Sequence, residues 1–97
     1  MSNLALASAN RNYYASALHD VQFQISAINE QRAQLAFMSS QSGDNNNQQA
    51  QSMDKYLEQT QKSLETQSQL LEGMLKAAED LMKTAAKDAA PKFAASG

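Results

Sequence analysis

The chain has 97 residues, no cysteine, one histidine and a formal net charge of −2 from eight basic and ten acidic side chains. That length supports one small domain, disulfide and thiolate chemistry are excluded, and the lone His19 cannot build a metal site without several carboxylates beside it. The charge is spread too evenly for a nucleic-acid patch, and no apolar run approaches the roughly 20 residues that span a bilayer.

Forty-two per cent of the residues are hydrophobic, but 17 of them are alanine, and Leu, Ile, Val and Phe together number only 16. With one Pro, three Gly and much Ala, Gln, Glu, Lys, Leu and Met, the composition favours helix nearly throughout. At the N-terminus, "LALASA" ends in a small-x-small pattern, Ala7-Ser8-Ala9. No Lys or Arg precedes it and its apolar core is far shorter than a signal-peptide core, so it reads as the first turns of a helix.

A first helix is expected over about residues 3–39, capped by Ser2 or Asn3. Leu4, Ala7, Arg11, Tyr14, Leu18, Val21, Ile25, Ile28, Arg32 and Leu35 follow alternating steps of three and four, the seam of a coiled coil. Leu4, Arg11, Leu18, Ile25 and Arg32 occupy the a positions, and every seam position but the two arginines is apolar.

The polar stretch "SSQSGDNNNQQAQS", residues 39–52, interrupts the apolar pattern, and a turn is expected over about residues 40–51. Its Gly43-Asp44-Asn45 core tolerates left-handed and turn conformations, and the flanking Ser, Gln and Asn can cap helix ends. Its length leaves open whether the hairpin closes within one chain or pairs between chains.

A second helix is expected over about residues 52–89, capped by Ser52 with Asp54 in its first turn, and followed by a tail over residues 90–97 because Pro91 cannot continue a helix. Here the steps of four and three run through Met53, Leu57, Thr60, Leu64, Gln67, Leu71, Met74, Ala78, Leu81 and Ala85. Two long one-sided seams must each cover the other, so the fold class is all-α: two long helices in an antiparallel hairpin with coiled-coil heptads, packed into an oligomer. Pairing outward from the turn sets Ile28 near Leu64, Val21 near Leu71 and Leu18 near Met74. It also brings Arg32 near Glu58 as an ion pair that fixes register, the alternative being an arginine whose head snorkels into water.

A two-layer hairpin is thin, so a further contact is expected. Glu58, Glu65, Glu72 and Glu79 recur every seven residues and form i, i+4 pairs with lysines, which reads as a solvated face stitched by Glu58–Lys62, Glu72–Lys76 and Glu79–Lys83. The first helix differs: the first 54 residues contain no Lys, and its outward positions include Leu6, Tyr13, Phe23, Ala27 and Phe37. Exposed aromatics on a poorly charged face suggest an interface, although Phe37 could instead fold over the hairpin end. Late in the second helix Leu70, Leu75 and Met82 widen the apolar face beyond what one partner helix covers. The expected interface residues are therefore Tyr13, Phe23, Phe37, Leu70, Leu75 and Met82, and a heterologous contact between such faces generates a ring or filament.

No phosphate loop, metal spacing or nucleophile motif is present, so no catalytic, cofactor or metal residue is assigned and no enzyme activity is expected. His19 and Asp20 are adjacent on a helix and point about 100° apart, which does not make a catalytic dyad. Glu79-Asp80 is an ordinary exposed acidic step.

In size, hairpin and helical seams the chain resembles the small helical-hairpin subunits of specialised secretion systems, particularly type III needle subunits. Its turn, "SGDNNNQQ", differs from theirs in lacking proline, and the chain has no Trp for the Trp-x-Gly of type VII hairpins. The resemblance implies a subunit exported without a cleaved signal that polymerises through packed hairpins. The sequence reading is thus a structural, self-assembling subunit whose main partner is itself, with no nucleic acid, no membrane span and no cofactor. One alternative is a cytoplasmic secretion adaptor or chaperone that holds a partner's amphipathic helix; another is a phage or virion component.

Overall fold

A computed structural model describes residues 3–42 and 47–96, and their side chains over residues 4–41 and 48–88. Two long helices in contact make up the hairpin: α1, Asn3–Ser42, and α2, Asn47–Ser96, with no strand among the described residues. Both extend further than composition suggests. Once a helix is nucleated, each added residue contributes a hydrogen bond, so Ser and Gln propagate it into the polar stretch. The half-buried Ser39 and Ala50 give that extension one more packed layer. Ser52 consequently lies inside α2 rather than capping it. The turn core Gly43-Asp44-Asn45 and the cap candidate Ser2 lie outside the described residues.

The expected stop at Ala89 is also corrected, since α2 runs through Pro91. A proline near a helix end forfeits the bond its missing N–H would make, and the alanines around it are the strongest helix formers.

The chain divides into two compact units, each built from one stretch of either helix. In the unit Asp20–Ser68, Val21 and Leu64 are buried at 7% exposure each, and Ile25, Ile28, Leu35 and Leu57 are half-buried around them. In the unit formed by Met1–His19 and Gln69–Gly97, the deepest residues are Ala7 and Ala78. Leu4, Tyr14, Leu18, Leu71, Leu75, Met82 and Ala85 are half-buried beside those alanines. Small residues at the closest layers let helix backbones approach. No described side chain falls below 2% exposure, which is what two layers without a third to cover them must give.

On α1 every position of the steps read from sequence is buried or half-buried apart from Arg11, which is exposed; the small residues Ser8, Ala15, Ala17 and Ala27, the last expected outward, are half-buried beside them. On α2 the covered positions depart from those steps. Leu57, Leu64, Leu71, Ala78 and Ala85 face α1, but their seam companions are Asp54, Gln61, Ser68, Leu75 and Met82. The expected companions sit one residue earlier: Met53, Met74 and Leu81 are exposed, as is Gln67, and only Thr60 is half-covered. Leu75 and Met82, expected on an outer interface, are therefore seam residues, and Met74 and Leu81, expected in the seam, are outward. The two sets are adjacent heptad stripes sharing Leu57, Leu64, Leu71, Ala78 and Ala85, so a helix turned by roughly 50° exchanges one for the other.

Candidate interface

In the unit Asp20–Ser68 the stripe that α2 turns to α1 carries a polar cluster. Arg32 lies on the α1 seam with its side chain 30% exposed, so its stem packs while its guanidinium reaches the seam edge. Its Nε donates to Asp54 Oδ1 at 2.9 Å and its Nη2 to Asp54 Oδ2 at 3.2 Å, a two-pronged fit of guanidinium to carboxylate. The remaining Nη1 donates to Gln61 Oε1 at 3.0 Å, and Gln61 Nε2 donates onward to Glu65 Oε1 at 3.1 Å. The Arg32 hydrogen bond holds the Asp54 carboxyl below its ordinary value; partial desolvation opposes this and the arginine's charge adds to it. The same hydrogen bond raises Arg32.

This corrects the expected Arg32–Glu58 pair. Glu58 acts on Arg32 through its charge alone, after the hydrogen bond, desolvation and the charge of Asp54, while its carboxylate meets Lys62 at 3.3 Å. Of the expected local pairs only Glu58–Lys62 closes among the described residues, and both of its side chains are well exposed. A shallow cleft of about 690 Å³ adjoins the cluster, lined by Asn29, Ser39, Gln51 and Lys55 among others. It offers hydrogen-bonding and charged side chains, Arg32 and Asp54 among them. Among the described residues no group of three or more His, Asp or Glu side chains could hold a metal ion, and no helix is long and apolar enough to cross a membrane.

The larger feature is apolar surface left outward. In the unit Asp20–Ser68, α1 exposes Phe23 at 71% and Phe37 and Met38 at 64% each, and α2 exposes Met53 and Tyr56. Phe37 and Met38 line a shallow groove with Glu30, Ala33 and Gln34, so Phe37 stays on the outer surface of α1. Ser40 Oγ donates to the Phe37 carbonyl at 2.8 Å, tying down the last turns of that helix. In the other unit Leu6, Tyr13, Leu70, Met74 and Leu81 are exposed. The Tyr13 ring meets the half-buried Tyr14 edge-to-face with centroids 5.5 Å apart. Leu6, Ala7, Leu81 and Ala85 line a groove between the helices there together with the polar Asn10, Thr84 and Asp88.

Along α2 these outward residues have their own spacing. Met53, Tyr56, Thr60, Ser63 and Gln67 in one unit, and Leu70, Met74, Ala77, Leu81 and Thr84 in the other, continue steps of three and four without a single charge. The charged residues of α2 lie off this stripe. A helix with one seam against its neighbour and a second uncharged stripe is built to pack on two sides.

Of the expected interface set, then, Tyr13, Phe23, Phe37 and Leu70 are outward, and Leu75 and Met82 are not. Leu6, Met38, Met53 and Tyr56 are outward beside them. Sequence reasoning missed Asp54 and Gln61 as partners of Arg32. The signal was present as Asp54, Gln61 and Ser68, polar residues seven apart and opposite a seam arginine. No family model, curated protein or solved structure matches this chain.

Proposed function

We propose that this protein is a structural, self-assembling helical-hairpin subunit of a secreted or envelope-associated filament or ring. The supporting observation is the outer face of α1, where Phe23 and Phe37 stand 71% and 64% exposed on a helix with only Arg11, Asp20, Glu30 and Arg32 as charged residues. Aromatic side chains on a poorly charged face offer apolar area that a partner can cover. The uncharged stripe of α2 supplies a second, different surface on the same chain, and contact between two unlike surfaces propagates from copy to copy.

The test is light scattering with electron microscopy across a concentration series, on the native chain and on Phe23→Glu. The native chain is expected to form large species, and Phe23→Glu to remain small with its helix content retained. A native chain that stays monomeric at high concentration refutes the assembly reading. In that event the inter-helix groove holding Leu6 and Leu81 favours the adaptor, which would seat a partner's amphipathic helix there.

A further inference from the structure

We propose that Arg32 decides which of two overlapping faces α2 turns toward α1 in the unit Asp20–Ser68, and thereby which apolar side chains remain outward for a partner. The sequence of α2 carries both faces. One combines Leu57 and Leu64 with Asp54, Gln61 and Ser68, and the other combines the same leucines with Met53, Thr60 and Gln67. Apolar burial alone favours the second, because it covers a methionine where the first covers a carboxylate. The structure adopts the first: Ser68 is 9% exposed and Met53 is 53% exposed.

What outweighs the methionine is the set of partners Arg32 finds on the first face. Its Nε, Nη1 and Nη2 all donate to α2, two to Asp54 and one to Gln61, and Gln61 passes a hydrogen bond on to Glu65. On the second face the seam positions opposite would be Met53 and Thr60, which leaves Glu58, the partner expected from sequence, as a single carboxylate in place of Asp54 and Gln61 together. A seam arginine with its stem held in the packing would then lose its fitted carboxylate. A single polar residue in a coiled-coil seam is known to fix register at some cost in burial, and Arg32 with Asp54 has the geometry to do so here. In the other unit the choice carries no such bias, since Leu75 and Met82 are as apolar as Met74 and Leu81.

The consequence is that the ion pair keeps Met53 on the outer surface of α2, in the uncharged stripe that also holds the exposed Tyr56. The choice of face stands on the hydrogen bonds and burial; its consequence for a partner rests on the self-assembly reading above.

Because the chain has no cysteine, single cysteines report each face cleanly. Met53→Cys and Ser68→Cys are made separately, with native Arg32 and with Arg32→Met, and iodoacetamide labelling is followed on the full-length chain at a dilution where scattering finds the smallest species. With Arg32 present, the Met53→Cys chain is expected to label about tenfold faster than the Ser68→Cys chain, and with Arg32→Met the order is expected to reverse. A helical Arg32→Met chain with unchanged labelling order overturns the proposal. Where Arg32→Met loses its helix content, the double variant Arg32→Leu with Asp54→Leu decides, because it makes the first face apolar. If that double variant folds and the thiol of Ser68→Cys labels slowly in it, selection by the pair is supported. Loss of helix in both overturns it, since the arginine would then hold the helices together rather than choose a face. The labelling order reads the face whether or not the chain assembles, so failure here is separate from failure of the assembly reading.

Discussion

Leu64 and Leu81 are the same residue type on the same helix, and the sequence placed both in the seam; the structure separates them. Leu64 is 7% exposed and Leu81 is 60% exposed. Truncating a leucine to alanine removes about three methylene equivalents, roughly 2.4 kcal/mol at about 0.8 each when the side chain is fully buried. Leu64→Ala forfeits nearly all of that and leaves a partial cavity, which the thin two-layer packing can relax into, so the expected cost is about 2–3 kcal/mol. Leu81→Ala forfeits only the covered fraction, about 1 kcal/mol at most. For a domain of this size those figures correspond to a fall in Tm of roughly 10–20 °C for Leu64→Ala and below about 8 °C for Leu81→Ala. Thermal and urea unfolding followed by far-ultraviolet circular dichroism, at a dilution where scattering finds the smallest species, measures both. Equal losses for the two variants would mean that α2 turns its other stripe to α1, and the packing described above would be refuted.

Gly73 lies inside α2 and a Cβ built there meets nothing within 4 Å, so Gly73→Ala should raise stability by about 0.5–1 kcal/mol through backbone entropy, read from the same urea curves. No gain would place Gly73 at a site of local bending. The Arg32–Asp54 pair also sets a pH response. Asp54 is held below its ordinary carboxyl value of 3.8, so its contribution is complete above that value and is lost as pH falls through the lower folded value. Unfolding curves between pH 7 and pH 2 should therefore decline at the acid end less steeply for Asp54→Asn than for the native chain, while Asp54→Asn is the less stable at pH 7. Identical acid limbs would show that other carboxyls govern the response.

The α1 seam was legible because it is apolar except at Arg11 and Arg32 and no competing stripe of comparable regularity runs beside it. Helix boundaries were less so: Ser and Asn weaken helix propensity without forbidding it, Gln favours it, and the half-burial of Ser39 and Ala50 exists only once two helices face each other. Asp54 illustrates the limit best. As a residue in a sequence it read as first-turn complement to a helix dipole; in the structure it is the carboxylate of Arg32, well inside α2.

By itself the sequence determined that the chain is helical, that it has two apolar seams separated by a polar stretch, and that Tyr13, Phe23 and Phe37 lie off the seam. Those follow from periodicity and composition, which are local. The tertiary structure alone decided which of two stripes α2 buries, because the stripes share five residues and differ by a rotation of roughly 50° that periodicity does not resolve. That choice moved Met74 and Leu81 outward and Leu75 and Met82 inward. In the unit Asp20–Ser68 the buried stripe includes Asp54, hydrogen-bonded to Arg32 22 positions away, and such a pair exists only when both helices are in place.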